Sequence, residues 1–207
     1  MNFLAHCALA EQAGPPGDST LRTGLLAGAV LGDFVKGPVP EAWPEPLIAG
    51  VRLHRRIDAA SNLNAHIRAT NALFPAAVRR YAPIFTDLLA DYWLSRKWAT
   101  HHAQPLPAFS SACYAAIKAH RQHLPAAGER FVAYMEEEDL LASYAAWHHV
   151  DRGIQSVLRR LGKMELLSAA RDGMEAALPD SAQHFDAYYP ELAAEAAEFV
   201  AGLNAAQ

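Results

Sequence analysis

Apolar side chains recur at intervals of three and four along most of this chain. That period suits helices and excludes half-buried strands, whose side chains alternate with a period of two. Between 84 and 98, Ile84, Phe85, Leu88, Leu89, Tyr92 and Trp93 fall on one broad stripe of a 3.6-residue helix. Alternating β-branched runs are scarce, and abundant Ala raises helix propensity wherever the period weakens. The punctuation is sparse. Gly14-Pro15-Pro16-Gly17 ends a first helix and Asp18-Ser19-Thr20 can cap the next, while Gly37-Pro38 through Pro46 reads as a Pro-rich loop. Pro75, Pro83, Pro105, Pro107 and Pro125 mark breaks or first turns, and Pro179-Asp180-Ser181 is expected to precede a final helix interrupted or kinked near Pro190.

With 207 residues, 52% of them hydrophobic and 19% charged, the chain can bury one large core and is not disordered. The expectation is therefore all-α: a single compact multi-helix domain over 1–207, with roughly eight or nine helices around one continuous core. No apolar run reaches the length of about 18 residues that a membrane span needs, and the longest, Leu25 to Leu31, is interrupted by Gly28. The first residues lack the basic stretch of a secretory signal, and Cys7 and Cys113 are too few for a disulfide framework. These features predict a cytoplasmic protein with no membrane partner.

A net charge of −4 and the absence of a reading motif argue against nucleic acid as a partner. The charge is nevertheless uneven. From Gly50 to Arg80, six arginines (Arg52, Arg55, Arg56, Arg68, Arg79, Arg80) face Asp58 alone, a balance of +5. From Lys163 to Gln207, two bases face eight acids, a balance of −6. Such stretches are solvated helix faces or, in the basic case, a docking surface for an acidic partner.

Two pairs have the spacing that sets both side chains on one helix face: His54 with Asp58, and Asp87 with Asp91. Asp87 also borders the apolar stripe, where an unpaired carboxylate is costly. Imidazoles and carboxylates on facing helices can converge on a divalent ion, and this donor set suits Mn²⁺, Mg²⁺, Fe²⁺ or Zn²⁺. The alternative is ion pairing of Asp58 and Asp91 with Arg55, Arg56, Arg96 or Lys97. His6, among Phe3, Leu4 and Ala8, is either a satisfied core residue or a contributor to an interior site. His101-His102 reads as cationic side chains at a helix end, favoured by the dipole. His120 and His123 sit in an exposed turn, and the adjacent rings of His148-His149 are expected to diverge. Walker, dinucleotide-binding, G-x-S-x-G and CxxC patterns are absent.

Several short motifs in register resemble the acyl carrier protein phosphodiesterase family. They are Met1-Asn2-Phe3-Leu4-Ala5-His6, Gly32-Asp33-Phe34-Val35-Lys36-Gly37, and Leu53-His54-Arg55 with Ile57-Asp58. The likeness continues through Arg80-Tyr81, Asp87 to Asp91, Glu137-Glu138-Asp139-Leu140, Gly153-Ile154 and Phe185 to Leu192. The resemblance implies a helical hydrolase, similar to HD-type phosphohydrolases, that cleaves 4′-phosphopantetheine from a serine of holo acyl carrier protein with a divalent metal, typically Mn²⁺. It carries the metal positions onto His6, Asp33, His54, Asp58, Asp87 and Asp91, and catalytic roles onto His54, Asp58, Asp87 and the phosphate-binding fork of Arg55. It also gives the basic stretch a partner, the acidic carrier protein, docking near Arg52, Arg55, Arg56, Arg79 and Arg80. Two other readings are a relative that binds carrier protein or a phosphopantetheine-like ligand without turnover, and a helical phosphohydrolase of another small phosphoester. Three candidate polar positions depart from the family pattern: Asn62 and Asn64 replace Asp and His, and Tyr92 replaces His; in addition, Ala29 stands where the pattern has Asn. The expected consequence is weaker metal affinity and slower turnover, since Asn is neutral and is no general base.

Overall fold

The computed structural model describes residues 2–205, and among them every regular element is helical. In chain order the helices are α1 (Phe3–Ala13), α2 (Ser19–Leu31), α3 (Glu45–Leu63), α4 (Ala65–Ala72), α5 (Ala82–Arg96) and α6 (Trp98–His101). They continue with α7 (Leu106–Ala119), α8 (Ala126–Glu137), α9 (Leu140–Ser143), α10 (Trp147–Arg160) and α11 (Leu167–Ala205). Nine of these have eight residues or more, so the all-α single domain expected from the period is the fold observed. None is long and apolar enough to cross a membrane among the described residues.

Local chemistry accounts for the boundaries. The Asp18 carboxylate accepts the backbone N–H of Leu21 at 2.8 Å and caps α2. Pro46, Pro83 and Pro107 occupy first turns, where a missing N–H costs nothing. α1 lies at the centre: Leu4 through Ala10 are all buried, including His6, so this helix is enclosed rather than one-sided.

α2 and α3 make the most intimate pair, and glycine is the reason. A Cβ on Gly28 would overlap the backbone of Gly50 and Val51, so the two helices touch main chain to main chain. Gly24, Gly28 and Gly32 are spaced one turn apart along this seam. The seam sets where α3 delivers its polar side chains.

Two expectations are corrected. The interior is not one continuous core but two buried clusters. One is built on α1, α2, α3 and the second half of α11. The other is built on Phe74, Phe85, Leu89, Ile154 and Met174. Half-buried Trp93 and Leu140 pack against both. Second, α11 does not begin after Pro179 but runs unbroken through Pro179 and Pro190. Both prolines are exposed, as are Glu175 and Asp186 four residues earlier, so the carbonyls that lose their bonds face water. Burial of Phe185, Tyr188, Tyr189 and Leu192 on the opposite face holds the helix together.

The charge imbalance is partly internal. The acidic α11 packs along α3 and α4, where Arg56 pairs with Glu195 and Asn64 donates to Glu191 at 2.6 Å.

Candidate metal centre

Four elements meet near the end of the glycine seam. α3 presents His54 and Asp58 one turn apart, with His54 Nε2 3.3 Å from Asp58 Oδ2. α1 brings His6 Nε2 to 3.0 Å from the other oxygen of the same carboxylate. The two imidazoles stack, centroids 4.0 Å apart at 24°. One donor atom from each of His6, His54 and Asp58 lies within 4.8 Å of the others. The turn at Gly32–Phe34, directly after α2, sets Asp33 Oδ1 3.9 Å from His54 Nε2.

The hydrogen bonding defines the state of His54. Its Nδ1 lies 2.9 Å from the carbonyl of Ala29, which can only accept, so Nδ1 carries the proton. In the neutral ring the lone pair is then on Nε2, facing the oxygens of Asp58 and Asp33. Two acceptors at this range repel one another unless a proton or a metal cation stands between them. A carbonyl that orients a histidine through its second nitrogen is also the usual support of a metal ligand. The donor set therefore fits a divalent ion.

The other protonation states agree. Burial, reinforced by His54 and opposed by Asp58, lowers His6 to about 3, so its ring is neutral at pH 7. Its Nδ1 is buried without a hydrogen-bond partner among the described residues, an arrangement that is rare away from functional sites. Burial would raise the Asp58 carboxyl, but hydrogen bonds from His54, whose Nε2 is protonated when no metal is bound, and from His6 outweigh it and hold this group well below the usual carboxylate range. Burial raises Asp33 and half-buried Asp87, and the Asp58 charge adds to both. Acids crowded in this way are relieved by a cation.

Asp91 is turned elsewhere. Its two oxygens accept the backbone N–H groups of Leu4 at 3.0 Å and Ala5 at 2.9 Å, in the first turn of α1. The side chain of Asn2 makes no capping bond there, so Asp91 caps α1 from another helix. Burial pushes the Asp91 carboxyl up to about 7, with those two N–H groups opposing. Arg55 is also engaged structurally: its Nη2 donates to the carbonyls of Val35 at 3.0 Å and Gly37 at 2.7 Å, clamping the segment that follows Asp33.

The departures from the family pattern do not act together. Asn64 caps α4 by accepting from His66 and Ile67, and its amide donates to Glu191. Tyr92 packs edge-on against Trp93 and Trp147. Asn62 is exposed one helical turn beyond Asp58.

Other histidines differ from expectation in two places. His101 and His102 are lowered by burial rather than stabilised as cations, and His102 stacks on Trp98 at 4.2 Å. The rings of His148 and His149 do not diverge; their centroids are 4.1 Å apart. Sequence reasoning missed the roles of the Ala29 carbonyl and of Gly32 in seating His54. The carbonyl of Ala29 has no side-chain signature, but the four-residue spacing of Gly24, Gly28 and Gly32 was a readable sign of a close helix contact.

The sequence profile of acyl carrier protein phosphodiesterases matches residues 1–192. This chain belongs to the acyl carrier protein phosphodiesterase family. A protein of that name from Yersinia enterocolitica serotype O:8 / biotype 1B is 33% identical over 198 residues, covering 95% of this chain and 97% of its own. Another from Yersinia pestis is 31% identical over 197 residues, with the same coverage. One from Escherichia coli O139:H28 is 29% identical over 199 residues, again 95% and 97%. No solved structure matches the chain. Family membership and the His6–His54–Asp58 cluster together describe a phosphodiesterase-like hydrolase with a candidate metal site.

Proposed function

We propose that this protein hydrolyses the phosphodiester joining 4′-phosphopantetheine to the serine of holo acyl carrier protein, releasing the apo form. The observation that carries the reading is the orientation of His54, whose Nδ1 is tied to the Ala29 carbonyl and whose Nε2 faces the carboxylates of Asp58 and Asp33. His6, His54 and Asp58 are the donors suited to a divalent cation, Mn²⁺ by family likeness, and Asp33 and Asp87 complete its surroundings. When bound, such an ion supplies an activated water at neutral pH and offsets charge on the phosphoryl oxygens.

The chain's own groups divide the remaining work. Asp58 stays ionised and keeps both imidazoles aligned. Asp33 and Asp87, raised by burial, are the carboxyls most disposed to carry a proton and pass it to the departing serine oxygen. Arg55 holds the Asp33 turn through Nη2 and offers the rest of its fork to the phosphate. Asp91 fixes α1, and so His6, from below. The acidic partner approaches the basic stretch of Arg52, Arg55, Arg56, Arg79 and Arg80, and the reaction belongs to the cytoplasm.

The engagement of Asn64 in a helix cap and of Tyr92 among tryptophans favours a working enzyme over a relative that binds without turnover. Incubating the protein with holo carrier protein and Mn²⁺ tests this directly. Mass spectrometry should record loss of the phosphopantetheine mass, abolished by chelator. Intact holo carrier protein at high enzyme concentration with Mn²⁺ present would overturn the reading.

A further inference from the structure

A basic surface reaches beyond the stretch singled out in the sequence, joining its last two arginines to cations from the end of α10, and it is assembled by the packing of α10 against α5. Tyr92 meets Trp147 at 5.2 Å between ring centroids. Four residues earlier on α5, Leu88 is so close to Gly153 that a Cβ there would lie 2.9 Å from its Cδ2. The numbering descends on α5 as it rises on α10, so the helices run antiparallel. Leu158 then shares a buried cluster with Ala82 and Val78. Six residues past Gly153 is a rise of about 9 Å, and six residues back from Leu88 to Ala82, where α5 begins, is also about 9 Å. Arg79 and Arg80 lie in the short turn Arg79–Tyr81 that leads into α5, at the same end as Arg159 and Arg160.

At this end Arg79, Arg80, Arg159, Arg160 and Lys163 are exposed, as is the acid Glu165, 3.4 Å from Lys163. Between the cations stand Leu161 and Met164, 40% and 38% exposed. A rigid turn presents them. Gly162 is left-handed at φ 65°, its N–H bonds the carbonyl of Arg159 at 3.1 Å, and the N–H of Lys163 bonds that of Leu158 at 2.8 Å. Cations at a helix C-terminus offset its dipole, which accounts for Arg159 and Arg160. It does not account for Arg79, Arg80 and Lys163, nor for two large apolar side chains left in water among them.

We propose that this surface docks an acidic protein partner, with Leu161 and Met164 as the apolar centre and the five cations as its rim. Apolar anchors inside a ring of one charge are the form of a protein-binding patch, and the sign selects an acidic face. Resting on the function proposed above, the partner is the carrier protein. Arg80 lies in the turn just before α5, and Asp87 is five residues into that helix from Ala82, about 8 Å of rise, so the patch is within the reach of a partner whose serine is at the metal cluster.

The test measures affinity of the full-length protein for apo carrier protein, which has no phosphodiester to cleave. Arg80→Glu/Arg160→Glu/Lys163→Glu should weaken binding about tenfold or more at low salt, with the gap closing as salt rises. Arg79 is left intact because its Nε donates to the carbonyl of Phe74 at 3.0 Å. Leu161→Ser/Met164→Ser should weaken binding at every salt concentration. Reversal of the distant exposed pair Arg121 and Arg130 to Glu should not, and thermal melts identify any variant that fails to fold. Unchanged affinity in both patch variants, with holo carrier protein still hydrolysed, would overturn the surface and leave the activity standing. Salt-sensitive binding lost in the variants, without any hydrolysis, would support the surface and overturn the activity. If the variants instead lose only binding to phosphatidylglycerol vesicles, the surface meets lipid and the proposal is wrong.

Discussion

The imidazole of His54 occupies the space that a Cβ on Gly32 would need, with Cγ and Cδ2 of the ring inside contact distance. Gly32 itself has an ordinary right-handed backbone, φ −52° and ψ −36°, so glycine is required here for room and not for conformation. The same ring is held by Ala29, one turn earlier in residue number on α2. The end of α2 thus forms a socket for His54, and the glycine seam that packs α2 on α3 is also what places the metal-facing nitrogen.

Gly32→Ala should therefore damage the metal site more than the fold. Overpacking costs about 1–3 kcal/mol, which a thermal melt would register as a modest loss. Displacing an oriented ligand typically costs about 10–100-fold in metal affinity, measurable by Mn²⁺ titration. Retention of wild-type Mn²⁺ affinity in a folded Gly32→Ala protein would mean that the socket does not set the site.

Asp58→Asn should be the most damaging single change to ion binding. The carboxylate is the charged member of the His6–His54–Asp58 trio and is held in its ionised form by both imidazoles. Asn keeps an oxygen but loses the charge, and affinity should fall by about 100-fold or more. Because the folded carboxyl is so low, wild-type affinity should not decline through the usual carboxylate range on account of Asp58. A titration of Mn²⁺ binding from neutral to acid pH, wild type against Asp33→Asn, separates Asp58 from the raised Asp33.

Asp91 should govern stability with a distinctive pH sign. In the folded protein its carboxyl keeps a proton up to about 7. The unfolded chain releases it near about 3.9. Between those values the native state binds more protons, so this residue's contribution to stability falls as pH rises from about 4 to about 7 and is level above. Asn at this position does not titrate. The advantage of wild type over Asp91→Asn in melting temperature should narrow across that window. Asp91→Ala, which strands two buried N–H groups of α1, should cost about 1–3 kcal/mol at any pH. A constant gap between wild type and Asp91→Asn would show that the carboxyl is ionised throughout.

Helical spacing made the fold class and the His54–Asp58 pair legible, because both follow from a local period that one strand of sequence displays. The same spacing suggested that Asp87 and Asp91 act together, and here it fell short. Residues one turn apart share a face, but the neighbours of that face are decided by packing, and α1 supplies Asp91 with backbone donors. His6 was ambiguous in the sequence because an enclosed helix has no polar face to mark which side meets a site. Pro179 misled for a related reason: the cost of about 3 kcal/mol for a proline inside a helix is local, while the burial of Phe185, Tyr188, Tyr189 and Leu192 that outweighs it in α11 is decided by packing. The division of the interior into two clusters leaves no local trace at all.

The three departures from the family pattern make the last prediction, since each side chain has its own surroundings. Asn64 uses its oxygen to cap α4 and its amide to bond Glu191. Asn64→His should remove the cap and cost about 1 kcal/mol without adding a ligand. Tyr92 lies edge-on to Trp93 and Trp147, so Tyr92→His should lose packing in the second cluster and leave Mn²⁺ affinity unchanged. Asn62 alone follows Asp58 by one turn and is exposed on that helix, where a new carboxylate would add negative potential toward the ion. Asn62→Asp should therefore tighten Mn²⁺ binding several-fold, about 1 kcal/mol at an exposed position, and the gain should shrink with salt. Titrating the three single variants with Mn²⁺ at two ionic strengths decides the matter. If Asn64→His or Tyr92→His raises affinity while Asn62→Asp does not, the ion sits further along α3 and α5 than the His6–His54–Asp58 cluster, and the assignment of its donors must move with it.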